Sequence, residues 1–178
     1  MNLEKIKVGN HPPDDIHVVI EVPMNSDPIK YEYDKEVGAI FVDRFMPTSM
    51  FYPCNYGFIP NTLSGDGDPA DVLVISSYPV IPGSVINAKP IGVLITEDEK
   101  GKDEKILAVP SPKVDLAYAH INSFKDLPEI IIQKISHFFE NYKSLEKGKW
   151  VKVTGWEDAD IAKKIINEAI KRFHETEE

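Results

Sequence analysis

Three carboxylates fall within one six-residue turn, the segment DGDPAD that begins at Asp66. Asp66, Asp68 and Asp71 carry about three negative charges at neutral pH, with little room to separate. Gly67 and Pro69 are residues that turns prefer, so a solvated acidic turn is one interpretation. The other is a site for a hard divalent cation such as Mg²⁺, which takes oxygen ligands and keeps waters for substrate phosphates. The turn by itself does not decide between them.

An EF-hand calcium loop is excluded by the residues that follow Asp66. Such a loop needs an oxygen ligand at its fifth position, Gly at its sixth and Glu at its twelfth. The chain has Ala70, Asp71 and Ser77 at these positions. A metal site built on this turn therefore needs ligands from elsewhere in the chain.

Further acids, cations and phenols are spread along the chain and could act together with the turn. Hydrolysis of a phosphoanhydride needs metal ions that neutralise phosphate charge and acidify a water, and cations and hydroxyls that orient the anionic oxygens. The candidates are Asp66, Asp68, Asp71, Asp98 and Asp103 for metal binding and proton transfer, and Lys30, Arg44, Lys105, Lys143, Tyr56 and Tyr142 for phosphate binding. No P-loop, glycine-rich dinucleotide loop or Cys/His metal spacing competes with this interpretation.

Short strands are predicted to position these side chains over the first two thirds of the chain. Apolar runs predict strands at residues 17–22, 29–33, 39–44, 72–75, 85–95, 106–109 and 150–153. Pro90 and Gly92 indicate a bend or bulge of the kind that lets a sheet curl into a barrel. Residues 45–62, rich in aromatics and prolines, are predicted to be a stiff loop leading into a strand. The charged run 96–105 is predicted to be a solvated hairpin tip.

Helical periodicity replaces the strand pattern in the last third of the chain. Ser123–Asp126 resembles a capping box, Pro128 suits a first helical turn, and an apolar stripe continues to Tyr142. A C-terminal helix is predicted over roughly residues 157–174, with acids at its start and bases at its end. These patterns predict a mainly β protein with α: a small Greek-key barrel over roughly residues 15–155 with helices packed outside it. Residues 1–178 are predicted to form a single domain.

Composition restricts the classes of partner and the compartment. A net charge of -9 opposes a nucleic-acid partner and fits acidic groups that hold metal ions, although any acidic soluble protein would have a similar charge. Cys54 is the only cysteine, which predicts no intrachain disulfide and a reducing compartment; we interpret it as a small packing residue rather than a reactive thiol. The sequence shows neither the apolar run of a secretory signal nor an apolar run long enough to span a bilayer. We therefore predict a cytoplasmic location and no membrane partner.

The segment DGDPAD resembles the signature of the soluble family I inorganic pyrophosphatases. The resemblance covers roughly residues 15–155 and extends to Glu21, Lys30–Glu32, Asp43-Arg44, the segment YPCNYGFIPNT, Asp98, Asp103 and Lys105 before ILAVP, and Tyr142-Lys143. It implies a five-stranded OB-type closed β-barrel with two flanking C-terminal helices. The implied function is hydrolysis of pyrophosphate to two orthophosphates by in-line attack of a metal-activated water. The length is similar to the compact prokaryotic form, which implies a homo-oligomer, a hexamer.

The resemblance also implies a metal-binding role for the matching acids. The implied cofactor is Mg²⁺, with several ions in each site, and other divalent cations could replace it. Asp66, Asp71 and Asp103 would hold the first ion, with Asp71 shared by a second. Asp98 and Asp103 would take a further ion that arrives with the substrate, and Glu32 and Glu21 would complete the acidic floor. Asp68 would be the general base that accepts the proton of the attacking water.

The remaining matching residues would bind the substrate or hold the acids in place. By resemblance, Arg44, Tyr142 and Lys143 would bind one phosphate, and Lys30 and Tyr56 the leaving phosphate. Lys105, Tyr52 and Asp43 would hold the carboxylates and tune their pKa values.

Two alternatives are kept beside the enzyme. The first is an OB-type module that binds oligonucleotides without enzymatic activity, which should show a basic face with stacking aromatics and salt-dependent binding of single-stranded DNA. The second is a catalytically inactive relative that serves as a scaffold. The net charge of -9 and the acidic turn oppose the first alternative, and the intact set of acids and cations opposes the second.

Overall fold

The computed structural model of the chain describes residues 5–177. Eight strands and two α-helices follow one another, with both helices late in the chain. Their bounds are β1 Ile16–Val22, β2 Ile29–Asp34, β3 Ala39–Phe45, β4 Asn55–Phe58, β5 Asp71–Val74, β6 Val85–Asp98, β7 Gly101–Pro110, α1 Glu129–Asn141, β8 Val151–Asp158 and α2 Ala159–Glu177. Two short 3₁₀ helices, Leu116–Tyr118 and Phe124–Asp126, lie between β7 and α1.

Five of the strands close into a ring. They follow the order β1-β4-β5-β7-β6, and a further pairing between β1 and β6 closes the circle. The β5–β7 pair is parallel and the other pairs are antiparallel. Strand β8 extends the sheet beyond β6, and β2 and β3 form a separate two-stranded hairpin. The ring confirms the predicted five-stranded closed barrel, and α1 and α2 are the two predicted helices.

The long strand β6 makes closure of the ring geometrically feasible. Its first residues, 85–88, pair with β1, while residues 92–98 pair with β8. Between these halves the register with β7 shifts at Pro90/Gly92, where a bulge was predicted. A bulge bends and twists a strand, so one strand can contribute to the barrel and to its extension.

The alternation of side chains along the strands divides the core between two sides of the sheet. Leu73 and Leu107 pack with α1 residues Ile135, Phe138 and Phe139. Their neighbours in sequence, among them Val72, Val74, Ile106 and Ala108, pack with α2 residues Ala162, Ile166 and Ala169. Successive strand residues point to opposite faces, so both helices are held by apolar burial. Each fully buried aliphatic or aromatic side chain contributes about 1.5–3 kcal/mol.

Several elements differ from the sequence-based predictions. Most of the charged run 96–105, predicted to be a solvated hairpin tip, belongs to β6 and β7, and Thr96, Asp98 and Lys105 are buried. Strand β4 lies inside the predicted aromatic loop, and all four of its residues are buried because β1 and β5 flank it. Strand β8 continues to Asp158, so α2 begins at Ala159 and ends at Glu177 rather than spanning 157–174. The capping box at Ser123 caps the 3₁₀ helix Phe124–Asp126, and α1 begins only after Pro128. For β4 and β8, pairing with a distant strand overrides a local signal.

No helix in the range 5–177 combines the length and the apolar character needed to span a bilayer.

Candidate active site

One cleft of about 310 Å³ gathers the predicted site residues at one side of the barrel. Its walls come from β1 to β7 and from the segment after α1. The predicted residues that line it are Glu21, Lys30, Glu32, Arg44, Tyr52, Tyr56, Asp66, Asp68, Asp71, Asp98, Asp103, Lys105, Tyr142 and Lys143. Asp43 does not line the cleft but forms ion pairs with Lys30 and Arg44, which do.

The acidic turn presents two carboxylates to solvent and one to the barrel. The Asp66 side chain accepts a hydrogen bond from the backbone N–H of Asp68 at 3.1 Å. Gly67 has a φ of +92°, a conformation that only glycine adopts without strain, so the turn depends on this residue. Asp66 and Asp68 are exposed, whereas Asp71 is half-buried because it is the first residue of β5.

Lys105 is the buried cation of the acidic side. It is 3% exposed, and its Nζ lies 2.7 Å from Asp71 Oδ2 and 3.0 Å from Asp103 Oδ1. The parallel register of β5 and β7 sets Asp71 beside Lys105, and Asp103 precedes Lys105 by two residues on the same strand face. Burial lowers the pKa of Lys105, but attraction to Asp71 and Asp103 outweighs it and holds that pKa well above its usual range.

Glu21, the buried acid of the predicted acidic floor, is destabilised as an anion chiefly by its burial. Glu21 is 8% exposed and accepts a hydrogen bond from the Tyr33 backbone N–H at 2.7 Å. Burial raises the pKa of Glu21 to about 7, the Tyr33 hydrogen bond opposes that rise, and repulsion from Asp71 adds to it. A cation bound near this carboxyl group would stabilise its ionised form, so binding of a cation there would be favourable.

The oxygen donors of the cleft fit a hard divalent cation, but they are not drawn together around one point. Asp66, Asp71 and Asp103 line the main cleft and also a small adjoining pocket of about 10 Å³. Within residues 5–177 no three carboxyl, His or Cys side chains stand close enough to hold one ion together. In this arrangement Asp71 and Asp103 instead share the ammonium of Lys105. Carboxylates are the ligands that Mg²⁺ takes, so the donor set suits the ion.

Three of the cations predicted to bind phosphate line the cleft, and each of them contacts a carboxylate. Lys30 Nζ lies 3.4 Å from Asp43 Oδ2, and Lys143 Nζ lies 3.0 Å from Asp98 Oδ2. Arg44 contacts two acids. Its Nη1 atom donates to Asp43, and its Nε and Nη2 atoms donate to Oε1 of a further acid, Glu146. These contacts hold the three cations in place at the cleft, where they are available to an anion.

Buried phenols complete the cleft beneath the cations. The rings of Tyr52 and Tyr56 lie 5.3 Å apart, and Tyr52 also packs on Phe138 at 4.6 Å. Burial raises the pKa of Tyr52 and of Tyr56 well above the usual value. Both phenols therefore stay protonated at neutral pH and can donate hydrogen bonds. Tyr142 is also buried and closes this aromatic layer.

The cleft also contains charged residues that the sequence reasoning missed. Glu146 contacts Arg44. Lys149 Nζ lies 2.5 Å from Glu99 Oε1, and this hydrogen bond lowers the pKa of Glu99 to about 2. Three lysines line the mouth: Lys35, Lys100 and Lys102. The only signals in the sequence were that Glu99 follows Asp98 and that Glu146 comes three residues after Lys143.

Cys54 lies outside the cleft lining and is buried. It is 1% exposed, and burial raises the pKa of its thiol to about 12. A thiol that stays protonated is a poor nucleophile, which agrees with its interpretation as a packing residue.

The carboxylates and cations gathered in one cleft suit the binding of a small, highly charged anion together with metal cations. The family model described as inorganic pyrophosphatase matches residues 18–174. An inorganic pyrophosphatase of Rickettsia conorii is 62% identical over 168 residues, which are 94% of this chain and 95% of the relative. One of Agrobacterium fabrum is 58% identical over 173 residues, 97% of this chain and 98% of the relative.

The fold agrees with a solved member of the same group. The crystal structure of the inorganic pyrophosphatase from Thermus thermophilus matches with a TM-score of 0.93 at 48% identity, covering 98% of this chain and 99% of that one. The family model spans most of the chain, and the identities extend over nearly all of it. This chain therefore belongs to the family I inorganic pyrophosphatases.

Proposed function

We propose that this protein is a Mg²⁺-dependent hydrolase that cleaves inorganic pyrophosphate into two orthophosphates by in-line attack of an activated water. The observation that carries the proposal is the cleft lined by the acidic turn, by the β6–β7 acids and by Lys30, Arg44 and Lys143. Pyrophosphate needs both the acids and the cations, because its oxygens require cations and its attacking water requires activation and a proton acceptor. Family membership supports the same reaction.

The acids are proposed to hold the metal ions. Asp66, Asp71 and Asp103 would hold one ion, and Asp71 would share a second. Asp98 and Asp103 would take a further ion, while Glu21 and Glu32 complete the floor. Mg²⁺ bound there would acidify a water and neutralise phosphate charge. Asp66 is exposed and can reorient, and release of Lys105 from Asp71 or Asp103 would free oxygens for an ion.

The basic and phenolic side chains are proposed to bind and orient the substrate. Arg44, Tyr142 and Lys143 would bind one phosphate, and Lys30 and Tyr56 the leaving phosphate. Asp43 lies between Lys30 and Arg44 and would fix both, while Tyr52 and Lys105 would hold the acids in place. Asp68 would accept the proton of the attacking water; its exposed position in the turn leaves it open to that water.

Phosphate release from pyrophosphate tests the proposal directly. We expect release with Mg²⁺, none with EDTA, and little inhibition by ATP added as a competing substrate, because the cleft is small. Absence of phosphate release from folded protein at any Mg²⁺ concentration would overturn the proposal. Salt-dependent binding of single-stranded DNA would favour the oligonucleotide-binding alternative, which the acidic cleft and the family do not favour.

The substitution Asp68→Asn tests the proton acceptor. The amide is nearly isosteric but cannot accept the proton, so we expect turnover to fall about 10²–10⁴-fold while folding and metal binding persist. Asp160→Asn, at an exposed acid of α2 outside the cleft, is the matched control and should retain parental turnover. Parental turnover in Asp68→Asn would show that another group takes the proton.

The assembly, the compartment and the extent of the domain are also proposals. We propose that residues 1–178 form one domain and that the protein is a cytoplasmic homo-oligomer, a hexamer, with neither nucleic-acid nor membrane partners. The single buried cysteine suits a reducing compartment.

A further inference from the structure

The guanidinium of Arg44 is held on two sides before any substrate is present. Its Nε and Nη2 atoms donate to Glu146 Oε1 at 3.2 and 3.0 Å, and its Nη1 atom donates to Asp43 Oδ2 at 2.5 Å. A guanidinium has five N–H groups in a rigid planar fork. These contacts use the single hydrogen of Nε and one hydrogen on each terminal nitrogen. One N–H on each terminal nitrogen is left for an anion.

Glu146 is itself placed by the segment that carries a second proposed phosphate ligand. The backbone N–H of Glu146 donates to the Lys143 carbonyl at 2.9 Å, in the turn that follows α1. Its side chain is 16% exposed and lines the cleft beside Arg44. Thr48 Oγ1, from the loop after β3, donates to the Tyr142 carbonyl at 3.2 Å, so the two segments are joined at a second point.

Asp43 cannot fix the guanidinium plane without Glu146. It contacts only the Nη1 end of Arg44, and its Oδ2 atom also attracts Lys30 at 3.4 Å. Glu146 accepts from two adjacent N–H groups along one edge of the fork, which restrains rotation about the last side-chain bonds. A planar donor binds phosphate well only when its plane is correctly oriented.

We propose that Glu146 is a positioning residue: it holds the Nε–Nη2 edge of Arg44 so that the two remaining N–H groups are presented to a phosphate of the substrate. The inference rests on the proposed pyrophosphatase function. Glu146 does not touch the substrate and acts only through Arg44. Without it, the guanidinium would sample other orientations or turn toward Asp43, and ordering it would oppose substrate binding.

A double-mutant cycle with Arg44 tests this. We expect Glu146→Ala to lower kcat/KM about tenfold, chiefly through a higher KM. Glu146→Gln should keep most of the activity, because its amide oxygen can accept hydrogen bonds from the same two N–H groups. Glu146→Asp should lose about as much activity as Glu146→Ala, because its side chain is one methylene shorter and its carboxylate no longer reaches Arg44. Glu140→Ala, at an exposed acid of α1, is the control. In an Arg44→Ala background, Glu146→Ala should cause no further loss.

The outcomes separate the inference from the function on which it rests. A parent that does not hydrolyse pyrophosphate contradicts the proposed function. An active parent with an equally active Glu146→Ala variant contradicts only the positioning role. An equal loss in the parental and Arg44→Ala backgrounds would show that Glu146 acts structurally, and a matching fall in melting temperature would show the same. If Glu146→Ala does not fold, the comparison of Glu146→Gln with Glu146→Asp tests the positioning role. Equal activities in these two variants would contradict the inference.

Discussion

At the scale of single residues, the charge balance of the cleft centres on Lys105. Its ammonium is almost fully buried and contacts two acids proposed to bind metal. Coulomb attraction is stronger there than at the surface, because less water screens it. Lys105 therefore supplies positive charge that keeps Asp71 and Asp103 close to each other.

The substitution Lys105→Met removes that charge at similar side-chain length. We expect the free energy of unfolding without Mg²⁺ to fall by about 2–4 kcal/mol, because two carboxylates lose their shared cation. Added Mg²⁺ should restore more stability to the variant than to the parent, since a bound cation offsets the same charges. Denaturant unfolding with and without Mg²⁺ measures both quantities. Lys113→Met, at an exposed lysine outside the cleft, is the control. An equal gain from Mg²⁺ in parent and variant would contradict the expectation.

At the scale of elements, β4 approaches β1 closely because residue 57 is glycine. A Cβ added to Gly57 would lie 1.9 Å from the carbonyl oxygen of Val19 in β1. That oxygen belongs to a paired strand and cannot move aside as a flexible side chain could. The pairing matters for the site, because Tyr56 of the cleft precedes Gly57.

We expect Gly57→Ala to lower the free energy of unfolding by about 3 kcal/mol or more, because the two strands must separate. Pyrophosphate hydrolysis should fall as well, since Tyr56 moves with the strand. Thermal unfolding and phosphate release check the two effects. The control for stability is Gly65→Ala, whose added Cβ meets no atom within 4 Å. Unchanged melting of Gly57→Ala would show that the strands tolerate the methyl group.

The junction between β8 and α2 depends on the carboxylate of Asp158. Lys125 Nζ donates to it at 2.8 Å, Ser123 Oγ at 2.6 Å and the Ala159 backbone N–H at 3.2 Å. The hydrogen bonds from Lys125 and Ser123 lower the pKa of Asp158 from its usual value of 3.8 to about 2. Its negative charge also lies at the helix N-terminus, where it is favourable.

A depressed pKa in the folded state means that Asp158 contributes stability above its unfolded pKa and loses it as the pH falls toward about 2. We expect Asp158→Asn to lower the free energy of unfolding at pH 7 by about 1 kcal/mol or less, because the carboxylate is partly exposed and screened. The difference from the parent should shrink below about pH 4. Denaturant unfolding at pH 7, 5, 4 and 3 measures it. A difference that stays constant from pH 7 to 3 would show that the pair carries no ionic stabilisation.

At the scale of the whole molecule, the single chain leaves large apolar side chains in water. On and near the β2–β3 hairpin, Phe41, Val42, Phe45 and Phe51 are 49%, 53%, 74% and 53% exposed. Exposed apolar groups of this size often mark protein–protein contacts. They support the proposed association of copies of this chain.

The proposed hexamer predicts a particle six times the 20.1 kDa mass of the chain. Covering the exposed apolar side chains favours an assembly over a monomer, and most soluble homo-oligomers are closed and symmetric. Light scattering coupled to size exclusion, and sedimentation equilibrium across a dilution series, measure the mass. A monomer at every concentration would contradict the proposal, as would a dimer.

The sequence by itself determined the types of residue in the site, the strand-then-helix order and the closure of a barrel, signalled by Pro90 and Gly92. These properties are local: apolar alternation, turn residues and acid spacing can be read within a few neighbouring positions. Residue type made Lys30, Arg44 and Lys143 candidates for phosphate binding, and the match to a family motif joined them to the acidic turn, to which no periodicity connects them.

The tertiary structure alone decided which side chains meet. Glu146 reaches Arg44 across 102 residues, β4 becomes a strand because β1 and β5 flank it, and Lys105 links Asp71 to Asp103 through the parallel register of β5 and β7. It also shows that Asp66, Asp71 and Asp103 share a cleft without converging on one point. Such contacts depend on strand register and packing between distant segments, and these are properties of the folded chain rather than of any stretch of its sequence.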